Sequence, residues 1–463
     1  MLTNFTSKKS FILTMSGAII GLGNIWRFPY LVANYGGGIF VALYLLTLLS
    51  VGYFLLLGEL SLGKTVHTDF LDGIEHIAKK NMASHSKLWK YVENTLQLTC
   101  AFLMNIIYVV VIGWILFFCV QNLLVFMQAS PVEITSSTFE SLTKNFEKQL
   151  FWSFCSLLLA AIFLCKNSIK LLEKLSAVFV PSLIFILIYL TFWSLSQTGA
   201  GEGALQVIKP DFVAIGFSPS GFDITRFLNV ILAVIEQVVY SLSIGMGVAY
   251  IYGTYTTSKI NLISATKYVI ALDTVCSLLA AVFVLSISST FGVPQNVGSA
   301  LTFVSLPLAF EQMIGGSFVM FLFYGIFFVA ALTTLISLYE PLVSMFAKKF
   351  YLSRSQSFCA VATANFLIVT LVLMSSSGAK NLTLFGRDLF TIINSFTNTM
   401  LLISALTLCI FIGWIAFDSI YNSLKGNFNR FMTISEFSYT QKVLRFIGPF
   451  ILIVLLLKAL LHF

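Results

Sequence analysis

GAIIGLGNIWRFP, residues 17–29, sets three glycines, an asparagine and an arginine inside an apolar run. The run begins near Phe11 and is long enough to cross a bilayer. A spanning helix satisfies its backbone polar groups internally. Gly17, Gly21 and Gly23 weaken such a helix, and Arg27 is costly at membrane depth unless it faces water or a partner. A broken helix beside an intramembrane charge frees carbonyls and amides to bind a ligand. This segment therefore points more directly to function than any other in the chain.

The rest of the composition places that segment in a membrane. The 463 residues are 58% apolar and only 10% charged, with a mean hydropathy of +0.93. Soluble domains carry roughly a quarter charged residues. The composition predicts an all-α polytopic membrane protein with one membrane domain over 1–463. Hydropathy places eleven spans near 11–33, 39–63, 91–125, 150–165, 171–197, 227–255, 262–288, 316–346, 356–376, 391–417 and 444–463.

The net charge of +8 is distributed by side of the membrane. Of the 27 Lys and Arg, 19 fall on one side, among them Lys8, Lys9, Lys64, Lys79, Lys80, Lys166, Lys170, Lys174, Lys348 and Lys349, and seven on the other, among them Lys144, Lys148, Lys209, Arg226, Lys380 and Arg387. The bias puts the N-terminus in the cytoplasm and, for an odd span count in the cytoplasmic membrane, the C-terminus outside. The basic excess is thus a topology signal, and no nucleic-acid partner is expected. The seven cysteines lie in apolar segments or at their edges with no CxxC pair, and read as small core hydrophobes. His67, His76, His85 and His462 fall in loops or at the terminus, which argues against a histidine proton relay. The first apolar stretch has no small-residue cleavage site and is expected to stay in the protein. Nothing in the sequence points to an oligomeric state.

A second interrupted span, 227–255, contains Glu236 and Gln237, Ser241, Ser243 and then Gly245-Met246-Gly247. The two interrupted spans open two five-helix blocks, about 11–197 and 227–417, and an odd number of spans inverts the second block relative to the first. Glycine-broken helices at matching positions of inverted repeats are a pointer to a transporter site. Close helix packing is the alternative reading of each glycine cluster alone.

Several polar residues stand at membrane depth. Asp273 lies well inside 262–288, with Ser277 four residues on along the same face; a cation site and a proton relay are its two candidate uses. A buried ion pair is the structural alternative, and only Arg27 offers a cation at depth. Thr333 and Thr334, in Ala330-Ala331-Leu332-Thr333-Thr334, either bond back to their own helix or complete an oxygen cage with the open carbonyls of Gly17 and Ile20. Sodium takes about five or six hard oxygens, which carbonyls and hydroxyls supply. Asn24, Ser241 and Asp273 offer a second oxygen-rich group. Tyr108 either holds a polar ligand or bonds a neighbouring backbone; Glu59 either accepts from unwound amides or reaches the headgroups. Glu340 precedes Pro341 and has no assigned role. A membrane-embedded enzyme needs a nucleophile–base pair or metal ligands at depth, and the spans show neither.

GLGNIWRFPY followed by NYGGG, with SLSIGMG in the sixth span and ALTT in the eighth, resembles the neurotransmitter:sodium symporter family, and especially its bacterial eleven-span amino-acid transporters. The resemblance runs through nearly the whole chain. It implies an inverted five-plus-five fold with discontinuous helices 1 and 6, and sodium-coupled import of a small amine-bearing solute. It places the carbonyls of Gly17 and Ile20 with Ala330, Thr333 and Thr334 at one sodium site. It places Ile19, Asn24, Ser241, Asp273 and the substrate carboxylate at the other. Two sodium ions and no organic cofactor are implied. Gly23 stands where amine-transporting members carry aspartate, which favours an amino acid. Tyr108 and the amides around Leu22 and Gly23 are implied to hold its carboxylate. Ala18, Met104, Tyr240, Ser243, Met246, Thr334 and Leu338 are implied to line an apolar pocket for a neutral side chain, aliphatic or aromatic.

The resemblance also carries two departures. Tyr44, Gln237, Ser241 and Ser277 look like the anion ligands of chloride-dependent members, yet Asp273 replaces a neutral asparagine. A fixed carboxylate repels an anion, so chloride independence is expected. Arg27 matches the outer-gate arginine, whose usual partner is an aspartate on the tenth span. Here Asn394 falls near that position and Asp388 lies further outward. A water-bridged or weaker gate is expected, with Gln237 carrying more of the load.

Overall fold

The computed structural model describes residues 4–68, 70–81, 85–127, 136–165, 169–219, 221–292, 301–312, 315–378, 382–384, 386–425 and 434–461. Lys166, Lys380 and His462 lie outside the described residues. The described chain is helical apart from loops and one short hairpin, Phe217–Ser218 against Gly221–Phe222.

Among the described residues nine helices are long and apolar enough to cross a bilayer, or ten when the bent pair Lys8–Ile19 and Gly23–Asn34 is one span. They follow the hydropathy segments closely because the bilayer demands about 20 apolar residues per crossing. The C-terminal run Ile434–Lys442, Val443–Ile447 and Gly448–Leu461 stands where the eleventh segment is expected, with its helix starting earlier than 444. This arrangement is compatible with eleven spans.

Burial sorts the spans. Within their most apolar windows, Ser86–Phe126 and Gly316–Lys349 are 78% and 72% buried, whereas Phe146–Leu164 and Ile169–Leu195 are each 33% buried. The first two pack against each other at the centre. The outer pair turns large apolar side chains such as Phe185 and Phe192 outward, as lipid-facing helices do.

The first break comes at Ile20. Lys8–Ile19 starts on Ser7, whose side chain accepts from the Ser10 amide, and ends where Ile20 turns extended (ψ 107°). After a π-type turn at Gly23–Arg27 the chain resumes as Phe28–Asn34, with Pro29 in the first turn where a missing N–H costs nothing. The two halves meet at 58°. Gly17 lies inside the first half rather than at the break. A Cβ there would sit 3.2 Å from Ser176 Oγ, so Gly17 serves close packing against Ile169–Leu195.

The second break follows Ile224–Ser241 and precedes Val248–Thr254. Ser243, Gly245 and Gly247 all take left-handed φ values of 51°, 73° and 74°. The Ser243 amide donates to Tyr240 O and the Ile244 amide to Val239 O, which ends the helix as a left-handed cap does.

The cysteines are not all core residues. Cys100, Cys276 and Cys409 are buried, but Cys359 is exposed, because Arg354–Ser376 turns that face away from its neighbours.

Candidate functional site

The two breaks bring together residues more than two hundred positions apart. Asn24 Nδ2 donates to Asp273 Oδ1 at 2.7 Å, to Ser277 Oγ at 2.8 Å and to Ser241 Oγ at 3.2 Å. Ser241 Oγ lies 3.0 Å from both Asp273 carboxylate oxygens and donates to them, and Tyr44 donates to Oδ2 at 3.3 Å. All five side chains are buried. Asp273 therefore sits in a knot of neutral donors, and Arg27 does not pair with it. Asn24 turns its nitrogen toward the carboxylate, because its Oδ1 accepts from the Gly21 amide at 3.1 Å. That bond takes the Gly21 N–H out of the helical ladder, away from the Gly17 carbonyl.

Beside this knot the hydroxyls of the eighth span meet the first break. Thr334 Oγ1 donates at 3.2 Å to both Ile20 O and its own Ala330 O. Thr333 Oγ1 donates to Ala330 O at 2.9 Å and Val329 O at 3.2 Å. Thr333 thus bonds only back to its own helix, while Thr334 does that and also reaches across to the broken one. The oxygens of Ile20, Ala330, Thr333 and Thr334 stand within one hydrogen-bonded group.

A third group lies on the other side of the break. The Tyr108 hydroxyl is within bonding reach of the Leu22 amide and of Tyr240. Close approach demands glycine here. A Cβ on Gly21 would stand 2.6 Å from Thr334 Oγ1, and one on Gly23 would stand 2.9 Å from Tyr240 Cδ1. Ala18, Ile19, Leu22, Met104, Ser243, Met246 and Leu338 are buried around the same two breaks.

Arg27 meets a different partner from the one expected on the tenth span. Arg27 Nη2 pairs with Glu236 Oε2 at 2.7 Å, and its guanidinium lies 5.2 Å from the Tyr240 ring centroid. Glu236 is one helical turn before Tyr240, so the same face of Ile224–Ser241 carries both. Gln237 does not bond Arg27 in the structure. Its Nε2 donates to Gly23 O at 2.9 Å and so holds the resumed half of the first span. Asn394 lines the cavity of about 250 Å³ outside this pair, together with Asn398, Tyr30 and Tyr35. The signal for Glu236 was its i−4 spacing from Tyr240, an acid within a span directly above a pocket residue.

The opposite end of the bundle is held by contacts the sequence did not announce. The Phe5 amide donates to Tyr255 O, and Phe5 packs on Phe11, Tyr252 and Tyr255. The Thr6 amide and hydroxyl both donate to Glu173. Glu340 accepts from the Tyr255 hydroxyl at 2.8 Å and pairs with Arg354, so it ties the second half of the sixth span to the ninth. Glu59 is fully buried rather than interfacial, and its Oε2 accepts from the Gly245 amide at 3.1 Å.

Two discontinuous helices meeting at a buried polar centre, closed at both ends by contacts, define a multi-pass membrane transporter. A profile of the sodium:neurotransmitter symporter family matches residues 3–149 and 126–463. An uncharacterized sodium-dependent transporter of Haemophilus influenzae is 26% identical over 468 aligned positions, 98% of each chain. The crystal structure of MhsT in complex with L-phenylalanine superposes with a TM-score of 0.86 and 27% identity over 99% of both chains. A shorter match, 32% over 133 positions, is to the sodium-dependent neutral amino acid transporter B(0)AT2 of Bos taurus, covering 27% of this chain and 16% of that one. The chain belongs to the sodium:neurotransmitter symporter family. It is a sodium-dependent transporter and not an enzyme.

Proposed function

We propose that this protein is a symporter that imports a neutral hydrophobic or aromatic amino acid with two sodium ions, independently of chloride. The observation that carries this reading is the convergence of Asn24, Ser241 and Asp273 beside the first break, next to the oxygens of Ile20, Ala330 and Thr334.

One ion is assigned to Ile19, Asn24, Ser241, Asp273 and the substrate carboxylate, and the other to Gly17, Ile20, Ala330, Thr333 and Thr334. Asn24 presents an amide nitrogen to Asp273, whose N–H dipole stands where the first ion would bring its charge. Ion binding therefore entails turning that amide over, so that Oδ1 leaves the Gly21 N–H for the ion. Sodium then competes with a preformed bond, and its binding is tied to the geometry of the break.

Gly23 supports an amino acid over a monoamine. A Cβ there would stand 2.9 Å from the Tyr240 ring, so a side chain at 23 would displace that ring, and with glycine in place the ligand brings the carboxylate itself. Tyr108 and the Leu22 amide are the groups to receive it. The apolar lining of Ala18, Met104, Met246 and Leu338 suits an uncharged side chain. The Phe-bound MhsT structure agrees with an aromatic ligand of this kind.

Chloride independence follows from where Asp273 lies. The hydroxyls of Tyr44 and Ser241 are turned onto its carboxylate, Ser277 bonds its backbone carbonyl at 3.0 Å, and Gln237 bonds Gly23 instead. Of the donors that an anion would need, Tyr44 and Ser241 are committed to a fixed negative charge, and Ser277 and Gln237 to backbone carbonyls.

The domain is read as one membrane unit over 1–463, with inverted repeats at about 11–197 and 227–417 and an eleventh helix after them. Its N-terminus faces the cytoplasm and its C-terminus the outside of the cytoplasmic membrane. Arg27 with Glu236 forms the outer gate, and Gln237 braces it through Gly23. Uptake of labelled amino acids into proteoliposomes, with sodium or chloride replaced in turn, tests the whole reading. Uptake that persists without sodium, or stops without chloride, overturns it.

A further inference from the structure

Glu59 and Glu93 form a second buried acidic site on the inner side of the sixth-span break. Glu59 stands on Gly38–Val66 and Glu93 on Ser86–Phe126; both are 0% exposed and close enough for their charges to interact. Gln97 Nε2 donates to Glu93 Oε2 at 2.8 Å, and the Thr407 side chain also reaches Glu93. Glu59 Oε1, Glu93 Oε1 and Gln97 Oε1 are each buried without a hydrogen-bond partner.

Among the described residues, no lysine, arginine or histidine side chain bonds either acid. Lys64, on the same helix as Glu59, donates to Ile260 O, and Lys90, on the same helix as Glu93, pairs with Asp72 and Glu75. The other titratable groups nearby are the Cys100 thiol beside Glu93, Tyr250, whose hydroxyl donates to Thr68 O, and Cys409, which donates to Leu444 O.

Two uncompensated carboxylates at this depth are costly, and a positive charge must offset them. A desolvated metal cation takes about six oxygens, and three orphaned ones fall short of that. A proton needs one. The two acids are not equivalent. Glu59 accepts from the Gly245 amide at 3.1 Å, a bond that favours its charged form. Glu93 faces only neutral groups and a like charge.

We infer that Glu93 is a proton-binding site, and that its occupancy is linked through Glu59 to the Gly245 segment. The Gly245 carbonyl is held in turn by Ser404 Oγ at 2.7 Å, so both faces of that peptide are gripped. When Gly245 moves off Glu59, the pair carries more uncompensated charge and binds its proton more tightly. By reciprocity, filling or emptying Glu93 biases the break.

Infrared difference spectroscopy on the full-length protein in lipid, across an alkaline pH step with no amino acid present, tests this. The wild type is expected to lose a protonated-carboxyl band that is missing from Glu93→Gln. Glu93→Asp, which keeps an acid in place, is expected to shift that band, and serves where Glu93→Gln does not fold. A wild type without the band, or a band unchanged in either variant, overturns the inference. No substrate enters the measurement, so its failure leaves the transport reading untouched, and the reverse.

Discussion

The first span breaks around one side chain of its own, whereas the sixth breaks around three left-handed residues and is held from outside. In the first, Asn24 reaches back to the Gly21 amide and forward to Asp273, so one residue both opens the helix and joins the buried knot. In the sixth, Ser243, Gly245 and Gly247 turn the chain, and Glu59 and Ser404 clamp Gly245 from two other spans. The comparison teaches that a shared architecture does not require a shared device. The first break is coupled to whatever binds at Asn24; the sixth is coupled to the movement of its neighbours.

Asp273→Ala should give the largest effect, because it removes the only acid in the first break's knot. Sodium affinity is expected to fall by more than ~100-fold, about 3 kcal/mol or more, as when a buried polar network loses its charged member. Sodium dependence of ligand binding measures this, and wild-type dependence in the variant refutes the assignment. Gly245→Ala comes next. It forces a left-handed φ of 73° on a residue with a Cβ, which would also stand 2.8 Å from Ser404 Oγ. A cost of about 1–3 kcal/mol is expected, read as a lower melting temperature in detergent.

Asn24→Ala separates the two devices. Loss of its bond to the Gly21 amide should cost about 1 kcal/mol and weaken sodium binding together, whereas Ser404→Ala at the other break should lower stability by about 1 kcal/mol and leave sodium affinity intact. Equal sodium defects in both variants break the comparison. Thr334→Ala should weaken sodium affinity about fivefold, from one lost cross-span oxygen, with Thr333→Ala smaller because that hydroxyl stays on its own helix. Gly17→Ala should matter least, within about 0.5 kcal/mol, since Gly17 is helical and Ser176 Oγ is a movable neighbour. A large Gly17→Ala defect would place the break one turn earlier than the structure does.

Much of this was readable from the residues in order. The apolar runs located the spans, and the glycines with Asn24 and with Ser243 located both breaks. Asp273 stood out as an acid at depth. Two assignments did not survive intact. The sequence groups Gly17 with the breaking glycines, whereas the structure keeps it helical and packed against Ser176. Arg27 was referred to Asn394 and Gln237, although its acid is Glu236, on the sixth span. Glu340, left without a role, bonds Tyr255 and Arg354 at the inner end.

The division has a physical cause. The bilayer obliges each segment to satisfy its own backbone, so a span and its interruption are written locally, in apolar length and in the glycines and polar residues that spoil it. Side-chain pairing at depth carries no such local rule. Asn24 and Asp273 are 249 positions apart and Arg27 and Glu236 are 209 apart, and which face each helix turns to the other is decided by packing. Class, spans, breaks and the polar group around Asp273 are legible in the chain itself; the acid that meets Arg27 and the arginine that meets Glu340 are decided by the fold.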